Sequence, residues 1–109
     1  MSVDYLFDTR GTWIAFRVDA RWVWSSDLKW IGWCPWSDDP DYVVTVDGQY
    51  LGHVIGNRLL RKAFQPFRGY PGYPGYPGYP GYPGYPGFAG FQMAPPGMTD
   101  VPDEFLEPT

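Results

Sequence analysis

The chain has 109 residues, of which 44% are hydrophobic and 20% aromatic, and its formal net charge is −4. This length fits one small domain rather than a multidomain enzyme, and the negative charge argues against a dedicated nucleic-acid binder. The single cysteine, Cys34, excludes an internal disulfide, so a reducing compartment such as the cytoplasm is expected.

Composition divides the chain into three parts. All eight Lys and Arg residues and eight Asp residues lie in residues 1–68, whereas residues 69–109 carry four acidic residues and no cation. We therefore expect a compact domain over 1–64, a low-complexity Gly-Tyr-Pro tract over 65–92 and an acidic tail over 93–109. The N-terminus lacks the apolar run of a signal peptide, and no stretch approaches the roughly 20 apolar residues of a membrane-spanning helix.

The first part contains a twelve-residue repeat. Residues 5–16 (YLFDTRGTWIAF), 22–33 (WVWSSDLKWIGW) and 42–53 (YVVTVDGQYLGH) share one pattern, and a fourth copy begins at Arg58 as RLLRK and then breaks off. Aromatic and β-branched runs flank turn-forming residues in each copy, which predicts a β-hairpin. No window has a convincing helical period. The predicted fold is all-β, a small pseudo-symmetric assembly of repeated hairpins, three full and a fourth truncated.

Turn and core positions follow from the alignment of the copies. Gly11 and Gly48 stand where a hairpin turn needs a positive φ, so Leu28 in the matching place predicts a different turn type in the second copy. Position eleven is always Ala or Gly, which predicts that a neighbouring hairpin or ring packs over the gap. Positions two and ten are always aliphatic and predict the core: Leu6, Val23, Val43, Leu59, Ile14, Ile31 and Leu51.

Three segments carry a resemblance to a known family: LFDTRGTWIAF, WVWSSDLKWIGWCPW and VDGQYLGHVIGNRLLR. They resemble the bacterial four-fold β-flower domains, over roughly residues 3–62, and a Pro/Gly-rich tail after the domain also fits that family. The resemblance implies short hairpins around a quasi-fourfold axis. It implies no catalytic residues and no established ligand.

The second part consists of Gly-X-Y triplets. Eight follow one another over residues 69–92, and the first six are Gly-Tyr-Pro. Because proline fixes φ and restricts the residue before it, we predict an extended, polyproline II-like tract with its tyrosines along one edge. A solvated spacer, a self-association tract and a collagen-like trimer are all compatible with this pattern. The tyrosines are Tyr70, Tyr73, Tyr76, Tyr79, Tyr82 and Tyr85.

The abundance of tryptophan predicts a binding surface. Trp22, Trp24, Trp33 and Trp36 cannot all fit in a core of this size, so some are expected on the surface, where aromatic patches mark interfaces. Their partners would be sugars, proline-rich peptides or a second copy of the domain. One hypothesis is that they dock the Gly-Tyr-Pro tract of the same or a neighbouring chain. In the alternative interpretation these rings form the core and rim of the domain.

The acidic tail ends in TDVPDEFLEPT and contains two apolar residues, Phe105 and Leu106. It is expected to be a disordered terminus. Two alternatives are that it presents Phe105 and Leu106 to another protein, or that it folds back on a basic cluster. That cluster comprises Arg58, Arg61, Lys62 and Arg68.

No sequence motif indicates catalysis, a cofactor or a metal. His53 takes the place of an aromatic ring in the other copies, so a structural role is expected, and Cys34 is expected to be buried or inert. The segment SDDPD lacks the pattern of a calcium loop and reads as a solvated turn. We therefore expect a non-catalytic interaction or assembly protein whose partner is a protein, with a second copy of the chain as one candidate. The alternative is a small-ligand or glycan-binding module that uses exposed tryptophans.

Overall fold

A computed structural model describes residues 2–107 of the chain. The described residues form eight strands and one short helix, so the prediction of an all-β fold is confirmed. In chain order these are β1 (Val3–Phe7), β2 (Trp13–Val18), β3 (Trp22–Ser25), β4 (Trp30–Trp33), β5 (Tyr42–Thr45), β6 (Tyr50–Ile55), β7 (Arg58–Lys62), β8 (Met98–Asp100) and α1 (Asp103–Leu106). Among residues 2–107, no helix is both long and apolar enough to cross a membrane.

Seven of the strands close into a barrel. Strands β1 to β7 pair with their neighbours in chain order, and β1 also pairs with β7 through a parallel bridge between Phe7 and Arg58. The N–H of Phe7 donates to the carbonyl of Asn57 at 2.9 Å, which ties this seam. The three full repeat copies are the hairpins β1–β2, β3–β4 and β5–β6. A closed barrel of repeated hairpins is compatible with a β-flower-like fold.

All three hairpin turns share one backbone geometry. The N–H at position seven donates to the carbonyl at position four, from Gly11 to Asp8 at 3.1 Å, from Leu28 to Ser25 at 3.0 Å and from Gly48 to Thr45 at 3.0 Å. Leu28 has a φ of 66°, within the left-handed region that Gly11 and Gly48 also occupy. The expectation of a different second turn is therefore wrong. The side chain of Leu28 packs against the aromatic cluster that contains Trp24.

The aliphatic core is the one that the repeat predicts. Six of the seven predicted residues are buried in one cluster, and Ile14 is half-buried against it. The small residues at position eleven are required by their neighbours. A Cβ atom on Gly32 would lie 2.3 Å from the carbonyl oxygen of Val44, and one on Gly52 would lie 2.6 Å from that of Leu60. Both oxygens belong to the next repeat copy, so the predicted packing over the gap is confirmed.

The tail completes the fourth repeat copy. Strand β8 pairs antiparallel with β7, with Asp100 opposite Leu60, and the following Val101 enters the aliphatic core. The Asp100 carboxylate accepts hydrogen bonds from the N–H and the hydroxyl of Thr9 at 2.8 and 2.7 Å, which joins the tail to the first hairpin. The expectation of a disordered terminus is wrong for these residues. Beyond its single bridge to β1 at Arg58, strand β7 would have an unpaired edge, and β8 pairs with that edge over residues 60–62.

Helix α1 then places the two apolar residues of the tail against the barrel. Phe105 and Leu106 are half-buried and pack on the aliphatic core. The guanidinium of Arg61 lies 4.5 Å from the centre of the Phe105 ring. Over residues 93–107 the tail thus folds back on a residue of the predicted basic cluster through a cation–π contact, and no ion pair joins this part of the tail to the cluster.

Candidate functional site

The Gly-Tyr-Pro tract runs along the surface of the barrel. At its start the ring of Tyr70 covers the third hairpin turn, since a Cβ atom on Gly48 would lie 2.5 Å from a ring carbon of Tyr70. At its end the N–H of Ala89 donates to the carbonyl of Gly11, in the first hairpin turn, at 3.0 Å. The N–H of Gln92 donates to the carbonyl of Thr9 at 2.8 Å. The tract therefore passes across the barrel from the third hairpin to the first.

The tract is extended as predicted but is not a regular polyproline II helix. Residues 64–95 form no helix, strand or turn. The eight glycines from Gly69 to Gly90 all have φ between 82° and 97°, whereas polyproline II and collagen strands need φ near −75°. Only glycine adopts this conformation without strain. The conformation of the tract thus depends on a glycine at every third position.

The tract tyrosines pack in succession on three tryptophans of the barrel. Trp30 contacts Tyr73 and Tyr76, with 5.9 and 5.7 Å between ring centroids, Trp24 contacts Tyr76 and Tyr79 at 6.0 and 6.4 Å, and Trp13 contacts Tyr82 and Tyr85, both at 5.9 Å. The ring planes are inclined by 56° to 88°, the tilted and edge-to-face arrangements that ring quadrupoles favour. Each of the three tryptophans lies between two consecutive tyrosines.

The tyrosines remain accessible despite these contacts. Their exposed fractions range from 56% to 68%. Every large hydrophobic side chain that is exposed in the described part of the chain lies between Phe64 and Met93. These eleven side chains, which we call the aromatic row, are Phe64, Phe67, Tyr70, Tyr73, Tyr76, Tyr79, Tyr82, Tyr85, Phe88, Phe91 and Met93.

The four tryptophans singled out in the sequence differ in their relation to the aromatic row. Trp24 and Trp33 are buried, and Trp22 and Trp36 are half-buried, so none of the four is exposed. Only Trp24 contacts a tract tyrosine among the described residues; Trp22 stacks on Trp33 at 6.3 Å.

Sequence reasoning missed Trp13 and Trp30 as contacts of the tract. Both occupy position nine of the repeat, and each indole N–H donates to the carbonyl two residues on, in Ala15 at 2.6 Å and in Gly32 at 2.9 Å. These hydrogen bonds fix the rings on the barrel surface. The signal that could have found them was their alignment at one repeat position beside a small residue.

Arg58 ties the end of the tract to the seam of the barrel. Its side chain is 4% exposed, and its guanidinium donates to the carbonyls of Asp8 at 2.8 Å and Gly90 at 2.9 Å. It also lies 5.9 Å from the centre of the Phe7 ring. A buried guanidinium is stabilised only where acceptors surround it. Closure of the barrel and docking of the tract are therefore coupled through one residue.

Three other arginines lie over the remaining aromatic rings. Arg21 lies 5.0 Å from Trp22 and 5.1 Å from Trp33, Arg61 lies 5.2 Å from Tyr50, and Arg68 lies 4.7 Å from Trp36 and 5.7 Å from Tyr42. Arg68 also pairs with the Asp38 carboxylate at 2.9 Å.

An open groove of about 970 Å³ lies between the second and third hairpins. We call it the Trp30 groove. Its aromatic walls come from Trp30, Tyr73 and Tyr76, and from Phe105 of helix α1. Ile31 and Val46 also line the groove, together with polar groups that include Thr45 and Gln49. The groove thus combines ring faces with hydrogen-bonding groups at a junction of barrel, tract and tail.

His53 has two polar partners that the sequence did not reveal. Its Nδ1 lies 2.8 Å from the Tyr50 hydroxyl, and its Nε2 lies 3.2 Å from Oδ2 of Asp39. Burial lowers the pKa of His53, and the Asp39 carboxylate opposes that shift. Burial raises the pKa of Tyr50. The arrangement is that of a hydrogen-bonded internal ring.

Cys34 and the acidic turn are also engaged internally. Cys34 is buried, as predicted, and its burial raises the pKa of its thiol against the opposing effect of Arg17. Arg17 pairs with Asp41 at 3.1 Å, in the SDDPD segment that sequence reasoning took for a solvated turn. No group of three His, Cys, Asp or Glu residues within 2–107 is placed to hold a metal ion.

The comparisons with known proteins add no relative. The chain matches no protein-family model, no curated protein and no solved structure.

Proposed function

We propose that this is a non-catalytic interaction or assembly protein, whose contact surface is the aromatic row displayed on the barrel. One observation carries the proposal: the large hydrophobic side chains that are exposed in the described chain all lie in one segment, from Phe64 to Met93. Patches of this kind in soluble proteins mark interaction sites, and tyrosine is enriched among the residues that contribute most to binding.

Docking of the tract supports this role because it orders the tyrosines before a partner arrives. Ordering a flexible side chain on association costs about 0.5–1.5 kcal/mol. Here the contacts with Trp13, Trp24 and Trp30 already order the tyrosine rings in the folded chain, so part of that free-energy cost does not arise on binding. The partner we propose is a protein, with a second copy of this chain as one candidate. We also propose membership of the four-fold β-flower family, on the repeat, and a cytoplasmic location, on the single reduced Cys34.

The test compares the full chain with a variant of the aromatic row. Phe64, Phe67, Phe88 and Phe91 are 70% to 82% exposed, so their joint replacement by serine should leave the fold intact. Self-association is measured by analytical ultracentrifugation, and other partners are measured by pull-down. We expect association by the full chain and by a control variant with Asp27→Ser and Asn57→Ser, but not by the four-serine variant. Equal association by all three proteins, or association by none, contradicts the proposal.

A second candidate function is the binding of a glycan or another small ligand. The Trp30 groove favours it, because aromatic rings stack on sugars while Thr45 and Gln49 offer hydrogen bonds. A saccharide-array signal that persists in the four-serine variant and disappears in Trp30→Ala would support this candidate. A signal that is unchanged by Trp30→Ala would contradict it.

A further inference from the structure

The chain itself shows how its aromatic rings hold a guanidinium group. Arg68 lies 4.7 Å from the centre of Trp36 and 5.7 Å from that of Tyr42, and its guanidinium bonds both oxygens of Asp38 at 3.0 and 2.9 Å. A planar guanidinium stacks on ring faces while its N–H groups reach a carboxylate at the edge. Two aromatic rings and one carboxylate thus suffice for an arginine site in this fold.

The Trp30 groove contains the same elements without an arginine. Trp30 contacts Tyr73 and Tyr76 at 5.9 and 5.7 Å, and no Arg or Lys of residues 2–107 lies over any of these three rings. The planes of Tyr73 and Tyr76 are inclined to that of Trp30 by 59° and 74°, so the three rings form a corner.

The charge of the groove complements a cation. Three carboxylates line it, those of Asp47, Glu104 and Glu107, against one ammonium, that of Lys29. Neither Glu104 nor Glu107 forms an ion pair with another residue of the range 2–107. With a formal charge of −4 for the whole chain, the surrounding field also attracts cations.

We infer that the Trp30 groove binds the guanidinium group of an arginine side chain on a partner protein. The guanidinium stacks in the corner of Trp30, Tyr73 and Tyr76, and its N–H groups donate to Glu104 and Glu107. This inference rests on the proposed interaction function and adds the chemistry of the partner, since Tyr73 and Tyr76 belong to both the groove and the aromatic row.

The test titrates the full chain with N-acetyl-L-arginine amide, and N-acetyl-L-citrulline amide serves as the uncharged analogue of the same shape. The readout is the NMR signal of the Trp30 indole N–H, which donates to Gly32 at the edge of the groove. We expect saturation by the arginine probe with a Kd on the order of 1 mM, and weakening of that affinity by salt. The citrulline probe is expected to produce no saturation.

Three variants separate the groove from general electrostatics. Combined Glu104→Gln and Glu107→Gln should weaken binding by roughly three- to tenfold, since exposed ion pairs contribute modestly. Asp103→Asn is the matched control, because Asp103 precedes Glu104 on helix α1 but lies outside the groove, and it should leave the affinity unchanged. Lys29→Met removes the competing ammonium and should tighten binding.

Three results would overturn the inference. They are an unmoved Trp30 signal at about 20 mM arginine probe, equal binding of the citrulline probe, and equal weakening by Asp103→Asn and by the Glu104 and Glu107 pair. A response to a neutral disaccharide in place of arginine would also overturn it, in favour of the glycan candidate. The four phenylalanines that test the proposed function lie outside the groove, so the two proposals fail separately.

Discussion

The packing of the tract on the barrel predicts a graded effect of its tyrosines on stability. The most informative change is Tyr76→Ala, because Tyr76 is the tract tyrosine that contacts two tryptophans, Trp30 and Trp24, at 5.7 and 6.0 Å. Its matched control is Tyr70→Ala. Tyr70 sits in the same Gly-Tyr-Pro context with nearly the same exposure, 63% against 61%, but pairs with no aromatic ring of the described chain.

The magnitude follows from the ring contacts. Aromatic pairs contribute about 0.5–1.5 kcal/mol each beyond the area they bury, so two pairs contribute about 1–3 kcal/mol. The buried area lost is similar for Tyr76 and Tyr70 and largely cancels in the difference. The free energy of unfolding should therefore fall by about 1–3 kcal/mol more for Tyr76→Ala than for Tyr70→Ala. Tyr73→Ala and Tyr79→Ala, with one contact each, should lie about halfway between.

The assay is equilibrium unfolding in urea, followed by tryptophan fluorescence, with all four variants analysed at a common slope. Because the tract connects β7 to β8, its release is expected to be coupled to unfolding of the barrel. Equal losses for Tyr70→Ala and Tyr76→Ala, within about 0.5 kcal/mol, would show that the ring contacts do not hold the tract and would refute this reasoning.

Three further changes probe the barrel. Gly52→Ala places a Cβ atom 2.6 Å from the Leu60 carbonyl oxygen, so unfolding in urea should show a loss of about 1–3 kcal/mol. Arg58→Met removes three charge-assisted hydrogen bonds, to the carbonyls of Asp8, Gly90 and Ala89, and should lower the free energy of unfolding by about 3 kcal/mol or more, and Arg58→Lys should recover part of it. The pKa of His53 is lowered in the fold, so the unfolded chain binds a proton at this residue more readily than the folded chain does. The contribution of neutral His53 to the free energy of unfolding is therefore complete above the unfolded pKa of about 6.5 and is lost as the pH falls below that value. His53→Phe should flatten the stability profile between about pH 5 and 7, and an unchanged profile would contradict the assignment.

The repeat made the barrel predictable because its information is local. Hairpin turns and strand alternation are encoded within twelve residues, so the core of Leu6, Ile31 and Leu51 followed from alignment of the copies alone. Leu28 shows the limit of such reasoning. Turn propensity assigns a positive φ to glycine and not to leucine, yet Leu28 has a φ of 66° and packs its side chain against the aromatic cluster of Trp24.

The tract and the tail were less predictable because their structure depends on distant partners. Strand β8 pairs with β7 across more than 30 residues, and nothing in the sequence MTD specifies that edge. The Gly-Tyr-Pro composition is the same for a free spacer as for a docked segment. To predict the contacts of the tract with Trp13 and Trp30, one would have to know that both rings lie at the barrel surface. The repeat pattern places the two rings at the same position, but hydrophobicity alone does not distinguish them from the other tryptophans.

The central structural claim is that tract tyrosines lie on barrel tryptophans of the same chain. Nuclear Overhauser spectroscopy of dilute, monomeric full chain tests it most directly. The account predicts cross-peaks from the Tyr76 ring protons to the indole protons of both Trp24 and Trp30, with six tyrosines resolved from one another. Degenerate tyrosine signals at random-coil positions, without cross-peaks to any tryptophan, would contradict it.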